Sequence, residues 1–183
     1  FGKNAVLNNG LPVPNHLFKQ AVSVNDVAAQ QEFNGRLTGK DIAEYCRISP
    51  NPKLNRLKTL RDGKFGLRVS RSAEKAKILL SDQQDILLPL HYIEAGLDIP
   101  VSRAQLSDAI ADELSKFERL MKEAITQAGA TPDVLYVTGG TAMSPVVQQW
   151  INSAFPDLDI VIGDHFGSVT SGLTTHAQRI FTA

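Results

Sequence analysis

The sequence predicts an α/β fold in which a mixed α+β region precedes a partial parallel α/β unit, and three observations carry that prediction. First, a continuous apolar run, Val134-Leu135-Tyr136-Val137, is followed by a Gly-Gly turn, a helical stretch, a second apolar run at 158–162 and a last helical stretch to 181. Continuous apolar runs are the pattern of strands buried on both faces of a parallel sheet, and strand–turn–helix–strand at this spacing implies a right-handed crossover. Second, residues 102–128 repeat apolar side chains at helical period. Third, two short runs at 85–93 and 97–101 have strand composition around Glu94-Ala95-Gly96. Two strands do not make a stable sheet alone, so further strands are expected from sequence upstream of Phe1.

The elements follow in order. Gly10, Pro12 and Pro14 give an extended or turning start, with Pro14 opening a short helix to residue 22. Asn25 is expected to cap a helix over 26–33 that Asn34-Gly35 ends. Asn51-Pro52 reads as a cap and first-turn proline for a helix over 53–61. Past Gly63 and Gly66, a longer helix to about 81 carries Val69, Ala73, Ala76 and Leu80 on its apolar face. Pro89 lacks a ladder donor, so its strand must be an edge or bulged there. Ser102 with Gln105 forms a capping-box signature. The helix it opens has the stripe Leu106, Ile110, Leu114, Phe117, Met121 and Ile125, with Asp112/Lys116 and Glu118/Lys122 as i,i+4 pairs and Gly129 as a stop. Ser144-Pro145 reads as a cap with a first-turn proline for a helix over 145–155, and residues 166–181 read as the last helix.

Composition bounds the function. In 183 residues, 43% hydrophobic and 21% charged is globular composition with enough apolar surface for a core. Lys plus Arg equals Asp plus Glu at 19 each, so no net field attracts nucleic acid or acidic membrane. One cysteine, Cys46, excludes an internal disulfide and a thiolate cluster, and fits a reducing, cytoplasmic setting. No apolar run approaches the ~20 residues needed to span a bilayer. The chain starts at Phe1 rather than Met, which reads as a start inside a longer protein, at a recombinant, proteolytic or processing boundary.

Two groups of residues offer chemistry. Gly139, Gly140 and Thr141 come directly after the buried-strand pattern, where glycines let backbone amides approach a ligand and tolerate positive φ. The following helix would aim its N-terminus at the same crevice, although a plain turn explains the glycines too. Glu74, Lys77 and Ser81, at i, i+3 and i+7, share one helical face. A carboxylate, an ammonium and a hydroxyl in a row can bind ribose hydroxyls or an exocyclic amine; a solvated, salt-bridged face is the competing reading. Residues 53–77 hold nine of the 19 basic residues against Asp62 and Glu74. That run has one aromatic, Phe65, where a single-strand binder interleaves several, which argues for a solvated face and against nucleic acid. His16, His91, His165 and His176 show no metal spacing, and no catalytic set emerges.

The stretch 136–150, YVTGGTAMSPVVQQW, resembles the adenosine motif of DnaK-like heat-shock chaperone ATPases: apolar strand, Gly-Gly-Ser/Thr, linker, proline, amphipathic helix. Upstream, 72–81, SAEKAKILLS, is similar to the helix that covers the adenine in that family, and 167–172, GSVTSG, to its closing small-residue helix. The three occur in the family's order. The segments 25–30 (NDVAAQ), 33–37 (FNGRL) and 163–173 (GDHFGSVTSGL) resemble the YegD type, a divergent bacterial branch.

The resemblance implies an actin-like, two-lobed ATPase, with residues 1–107 as the outer subdomain of the second lobe and 108–183 as its inner subdomain, minus the first strands. The outer part is expected to be helical with a small antiparallel sheet. Glu74, Lys77 and Ser81 then match ribose and adenine contacts, and Gly139, Gly140 and Thr141 the nucleotide loop, with Met143 beside them. The cofactor implied is ATP or ADP, with magnesium only in the full-length protein, and the partners are unfolded clients or exchange factors. The family often has arginine where Ile78 and Met143 stand, and an acidic residue where Phe166 falls, with Asp164 two residues earlier. An apolar pair can still sandwich a base by dispersion. The phosphate motif and the Asp-Ile-Gly-Gly-Gly-Thr segment are absent from the sequence, and phosphoryl transfer depends on such positioning, so this stretch alone should not hydrolyse ATP. Its end at Ala183, after the last ATPase helix, would mean no peptide-binding domain follows if it is natural. The alternative is a non-enzymatic interaction module on the same fold. An uncovered strand edge pairs readily with another chain, so the edge is expected to be covered by residues 1–12, by a second copy or by crystal neighbours.

Overall fold

The computed structural model describes residues 1–163 and 167–181. The chain divides into two units, Phe1–Ala76 with Leu87–Pro100, and Lys77–Ile86 with Val101–Ala183. The fold is mixed α/β: α1 (Asn15–Val22), α2 (Val27–Asn34), α3 (Arg36–Ile48), α4 (Leu54–Asp62), α5 (Gly66–Asp82), β1 (Asp85–Pro89), β2 (Asp98–Ser102), α6 (Arg103–Ala128), β3 (Val134–Val137), α7 (Pro145–Ala154), β4 (Asp159–Ile162) and α8 (Ser168–Phe181). β1 pairs with β2, and β3 with β4, in separate two-stranded sheets.

The first unit is organised around one apolar core. Leu17 and Ala21 of α1, Phe33 of α2, Ile42 of α3 and Leu54, Leu57 and Leu60 of α4 are buried together with Leu90, Ile93 and Leu97 from the loop joining β1 to β2. Ala5, Leu7 and Val13 complete it, and an isolated antiparallel bridge between Val6 and Pro12 folds the N-terminal segment onto itself. The N-terminal residues thus enter this core and do not cover the β3–β4 edge, which overturns the first of the three expected coverings. Their apolar side chains gain more from burial among helices than a short run could gain by extending a two-stranded sheet.

Several boundaries differ from expectation for local reasons. Asp26, not Asn25, caps α2, its carboxylate accepting from the Ala29 amide at 2.9 Å. Pro14 is the residue before α1 rather than its first. Asn51 turns the chain by accepting from the Lys53 amide at 3.0 Å, and α4 starts at Leu54. β1 stops at Pro89, where the ladder loses its donor, and β2 runs on to Ser102. The helix α3 was not expected at all. Only Gly35 separates it from α2, it has no side-chain cap, and only Ile42 is fully buried. Its signals are therefore those of a stop followed by polar loop.

What holds this single-residue corner is Arg61. Its Nε donates to the Phe33 carbonyl at 3.0 Å, and Nη2 donates to the carbonyls of Asn34 and Gly35 at 3.1 and 2.7 Å. Nη1 donates to Asp62 at 3.1 Å. These carbonyls belong to the end of α2 and the corner, where intrahelical donors run out. A Cβ on Gly39 would fall 2.5 Å from Arg61 Nη2, so the glycine in α3 leaves room for the guanidinium.

In the second unit the capping box forms as read: Ser102 Oγ accepts from the Gln105 amide at 3.1 Å and Gln105 Oε1 from the Ser102 amide at 3.0 Å. Gly129 ends α6 in the left-handed region, φ 64. Glu118 pairs with Lys122 at 2.6 Å, but Lys116 reaches Glu113 at 2.8 Å and not Asp112. No residue of α6 is fully buried, and Phe117 on its apolar stripe is exposed. β3 and β4 are parallel, with Val134 opposite Asp159 and Val137 opposite Ile162. α7 buries Val146, Val147 and Ile151, and Ile151 shares a small cavity with Val137, Ile160 and Ile162. On the other face, Val134, Tyr136 and Val161 are 47%, 57% and 45% exposed. The run expected to be buried on both faces is therefore half-covered on one, under α7, and open on the other, in a sheet of two strands among the described residues. α8 starts at Ser168; Asp164, His165 and Phe166, part of the expected helix start and of the YegD-type stretch, lie outside the described residues.

Replacing Arg61 with Ala should lower the stability of the chain by about 2 kcal/mol, because the carbonyls of α2 lose a charged donor. Gly39→Val should cost comparably by displacing the same guanidinium. Arg47→Ala, which removes only an exposed pair with Glu44, should leave the thermal midpoint unchanged.

Candidate functional site

β3 ends at Val137, and Gly139 follows with φ 96 and ψ 159, a backbone region that glycine alone adopts without strain. A Cβ there would meet no atom within 4 Å, so conformation, not packing, requires the glycine. Next comes a single 3-10 turn, Gly140–Met143. It is held by the Ala142 amide donating to the Gly139 carbonyl at 3.0 Å and by Gln148 Nε2 of α7 donating to the Ala142 carbonyl at 2.8 Å. No hydrogen bond among the described residues uses the amides of Gly139, Gly140 or Thr141. Successive unengaged amides of this kind form a cradle for an anionic or strongly accepting group.

The sequence pointed to two sources of donors, the amides of the glycine loop and the N-terminus of the following helix. α7 begins at Pro145, which has no N–H, and Ser144 makes no side-chain cap bond. The accessible amides belong instead to the 3-10 turn. Gly140 and Thr141 are exposed, Gly139 is half-buried, and Met143 presents an exposed apolar side chain.

Glu74, Lys77 and Ser81 stand on one face of α5. Glu74 and Lys77 are exposed and their side chains enter no ion pair among the described residues. Of the competing reading, the solvated face is met and the salt bridge is not, among the described residues. Ser81 is half-buried, its hydroxyl 3.4 Å from the Lys77 carbonyl, a long contact that leaves it available. Ile78 is exposed beside them. Glu74 belongs to the first unit, and Lys77, Ser81 and Gly139 to Met143 to the second.

The basic run at 53–77 is partly consumed by intramolecular partners. Arg56 makes two bonds with Glu94 at 2.6 and 3.0 Å, and Lys58 pairs with Asp62 at 2.7 Å. These bonds hold the Glu94 and Asp62 carboxyls below their usual range, with Arg56 and Lys58 as the respective leading causes. Arg61 caps α2, and Arg68 lies 4.0 Å over the Tyr92 ring. Tyr92 also meets Ser72 Oγ at 3.1 Å and the edge of Phe65, anchoring the first half of α5. That role of Tyr92 had no sequence signal, because its partners lie twenty or more residues away. Among the described residues no group of His, Cys, Asp and Glu could hold a metal, and no helix is long and apolar enough to cross a membrane.

Residues 19–159 match the family model of the Hsp70 protein. That span is more than half of the chain and contains both candidate groups. The chain belongs to the Hsp70 family. Hsp70 proteins are chaperone ATPases with an actin-like fold, and the mixed α/β architecture of this chain fits that fold. The Hsp70 nucleotide-binding module takes ATP or ADP with magnesium. The Hsp70 match ends before residues 167–172, so the stretch that resembles the closing helix lies outside it.

The two loop glycines should respond differently. Gly139→Ala forces a side chain into a glycine-only conformation and should cost about 1–3 kcal/mol in thermal unfolding. Gly140→Ala should leave stability within about 1 kcal/mol, since no positive φ is required there.

Proposed function

We propose that this chain is the second lobe of an Hsp70-type nucleotide-binding domain and that it holds the adenosine part of ATP or ADP. Residues 1–107 act as the outer subdomain and residues 108–183 as the inner one. The observation that carries the reading is the run of three unengaged amides at Gly139, Gly140 and Thr141, directly past a parallel strand, where ligands of open α/β sheets bind. Glu74, Lys77 and Ser81 supply the polar contacts to ribose and base. Ile78 and Met143, exposed and apolar where the family often has arginine, take the base by dispersion and desolvation.

The chemistry of hydrolysis belongs to the intact protein, because the phosphate-positioning motifs are not in this sequence. We place the protein in the YegD type, on residues 25–30, 33–37 and 163–173, and in the cytoplasm, with unfolded clients or exchange factors as partners. The two apolar substitutions also favour a second reading, an interaction module whose adenine site no longer binds. Calorimetric titration of ADP and ATP into the intact protein decides between them. Saturable binding that Gly140→Val abolishes in a folded protein is the expected result. Absence of binding in the wild type would leave the interaction module.

The open strand edge and the exposed Val134, Tyr136 and Val161 favour association of the isolated chain with a second copy. Light scattering over a concentration series should show mass rising above the monomer's 19.9 kDa. A constant monomer mass would remove the proposal.

A further inference from the structure

Ser81 stands in the last turn of α5, next to the final residue Asp82. The last four carbonyls of a helix have no intrahelical donor, and an end left so frays first. Here one side chain closes it. Arg103 Nε donates to the Leu80 carbonyl at 2.8 Å, and Nη2 donates to the carbonyls of Ser81 and Gln83 at 3.1 Å each. The Arg103 amide adds a bond to the Gln84 carbonyl at 2.7 Å. All these residues lie in the second unit.

The position of Arg103 is itself determined by α6. The capping box of Ser102 and Gln105 makes Arg103 the first residue of that helix, so its backbone is fixed before its side chain reaches out. A cation is also favourable at the negative end of the α5 dipole. Three carbonyls in different directions suit a planar fork, which an ammonium cannot match. The fork binds the Ser81 backbone and leaves the Ser81 hydroxyl uncommitted apart from its long contact to Lys77.

We infer that Arg103 is a positioning residue of the nucleotide site: by clamping the end of α5 it holds Ser81, and Lys77 one turn earlier, in the orientation that receives the ribose and base. The inference rests on the nucleotide reading above. It differs from a general structural role in one respect: its loss falls on the nucleoside and not on the phosphates.

The test uses the intact protein, with ADP and inorganic tripolyphosphate as titrants. Arg103→Met should raise the Kd for ADP about tenfold, equivalent to about 1.4 kcal/mol, and change that for tripolyphosphate less than about twofold. In a Ser81→Ala background the same change should cost much less, because residues acting through one another are not additive. Arg103→Lys, which keeps the charge without the fork, should lie between. If Arg103→Met does not fold, Arg103→Lys carries the same comparison, with an expected loss of about threefold for ADP only. Wild-type binding of ADP with unchanged affinity in a folded variant would overturn the inference and leave the nucleotide site standing. Equal loss for ADP and tripolyphosphate, or full additivity with Ser81→Ala, would reduce Arg103 to a structural residue. A wild type that binds no ADP would instead remove the nucleotide reading, and this inference with it.

Discussion

A helix that ends against other elements must find donors for its last carbonyls, and in this chain two arginines meet that demand. Arg61 closes α2 from α4, and Arg103 closes α5 from the first position of α6. Each engages three backbone carbonyls, so each ties together elements far apart in sequence through groups that would otherwise be unpaired. The first unit follows from the Arg61 closure: with α2 and α3 separated by Gly35 alone, Phe33 and Ile42 both reach the core they share with Leu54, Leu57 and Leu60. The Arg103 closure is what gives Ser81 a fixed place.

The glycine loop works by the opposite principle. At the ends of α2 and α5 an arginine engages three carbonyls, whereas among the described residues the amides of Gly139, Gly140 and Thr141 are left open. Gly139 makes this possible by taking a conformation that turns the chain without a side chain at the strand end. The turn is held by the Gly139 carbonyl, which accepts from the Ala142 amide, and from α7 by Gln148, so its leading amides are not needed to close it. A rigid turn with unengaged donors is pre-organised, and a ligand accepting those donors loses little in ordering them.

The exposed surface also has a pattern. Several large apolar side chains of α6 and the β3–β4 sheet remain open, among them Phe117, Leu120, Val134, Tyr136 and Val161. Phe117 belongs to the stripe that periodicity assigned to a core, and Val134, Tyr136 and Val161 to the runs read as strands. A two-stranded sheet with one helix over one face buries half of what such a pattern is written for.

What the sequence by itself determined was local and covalent in scale. The capping box at Ser102, the left-handed stop at Gly129 and the glycine turn depend on contacts within a few residues, the Val134–Val137 strand is written in a local apolar run, and all are where their signals stand. The spacing of Glu74, Lys77 and Ser81 placed them on one face because a helix repeats every 3.6 residues. Only the tertiary structure decided the rest. α3 exists because its corner with α2 is held by Arg61 from 26 to 28 residues away, a bond without local trace. Arg56, Lys58 and Arg68, read as a solvated basic face, turned out to have particular partners in Glu94, Asp62 and Tyr92. Residues 1–12 joined a helical core and not a sheet edge. Except for the i,i+4 pair of Lys58 and Asp62, the deciding partner is distant in sequence, and no short-range pattern records a contact that only folding brings within hydrogen-bond or van der Waals reach.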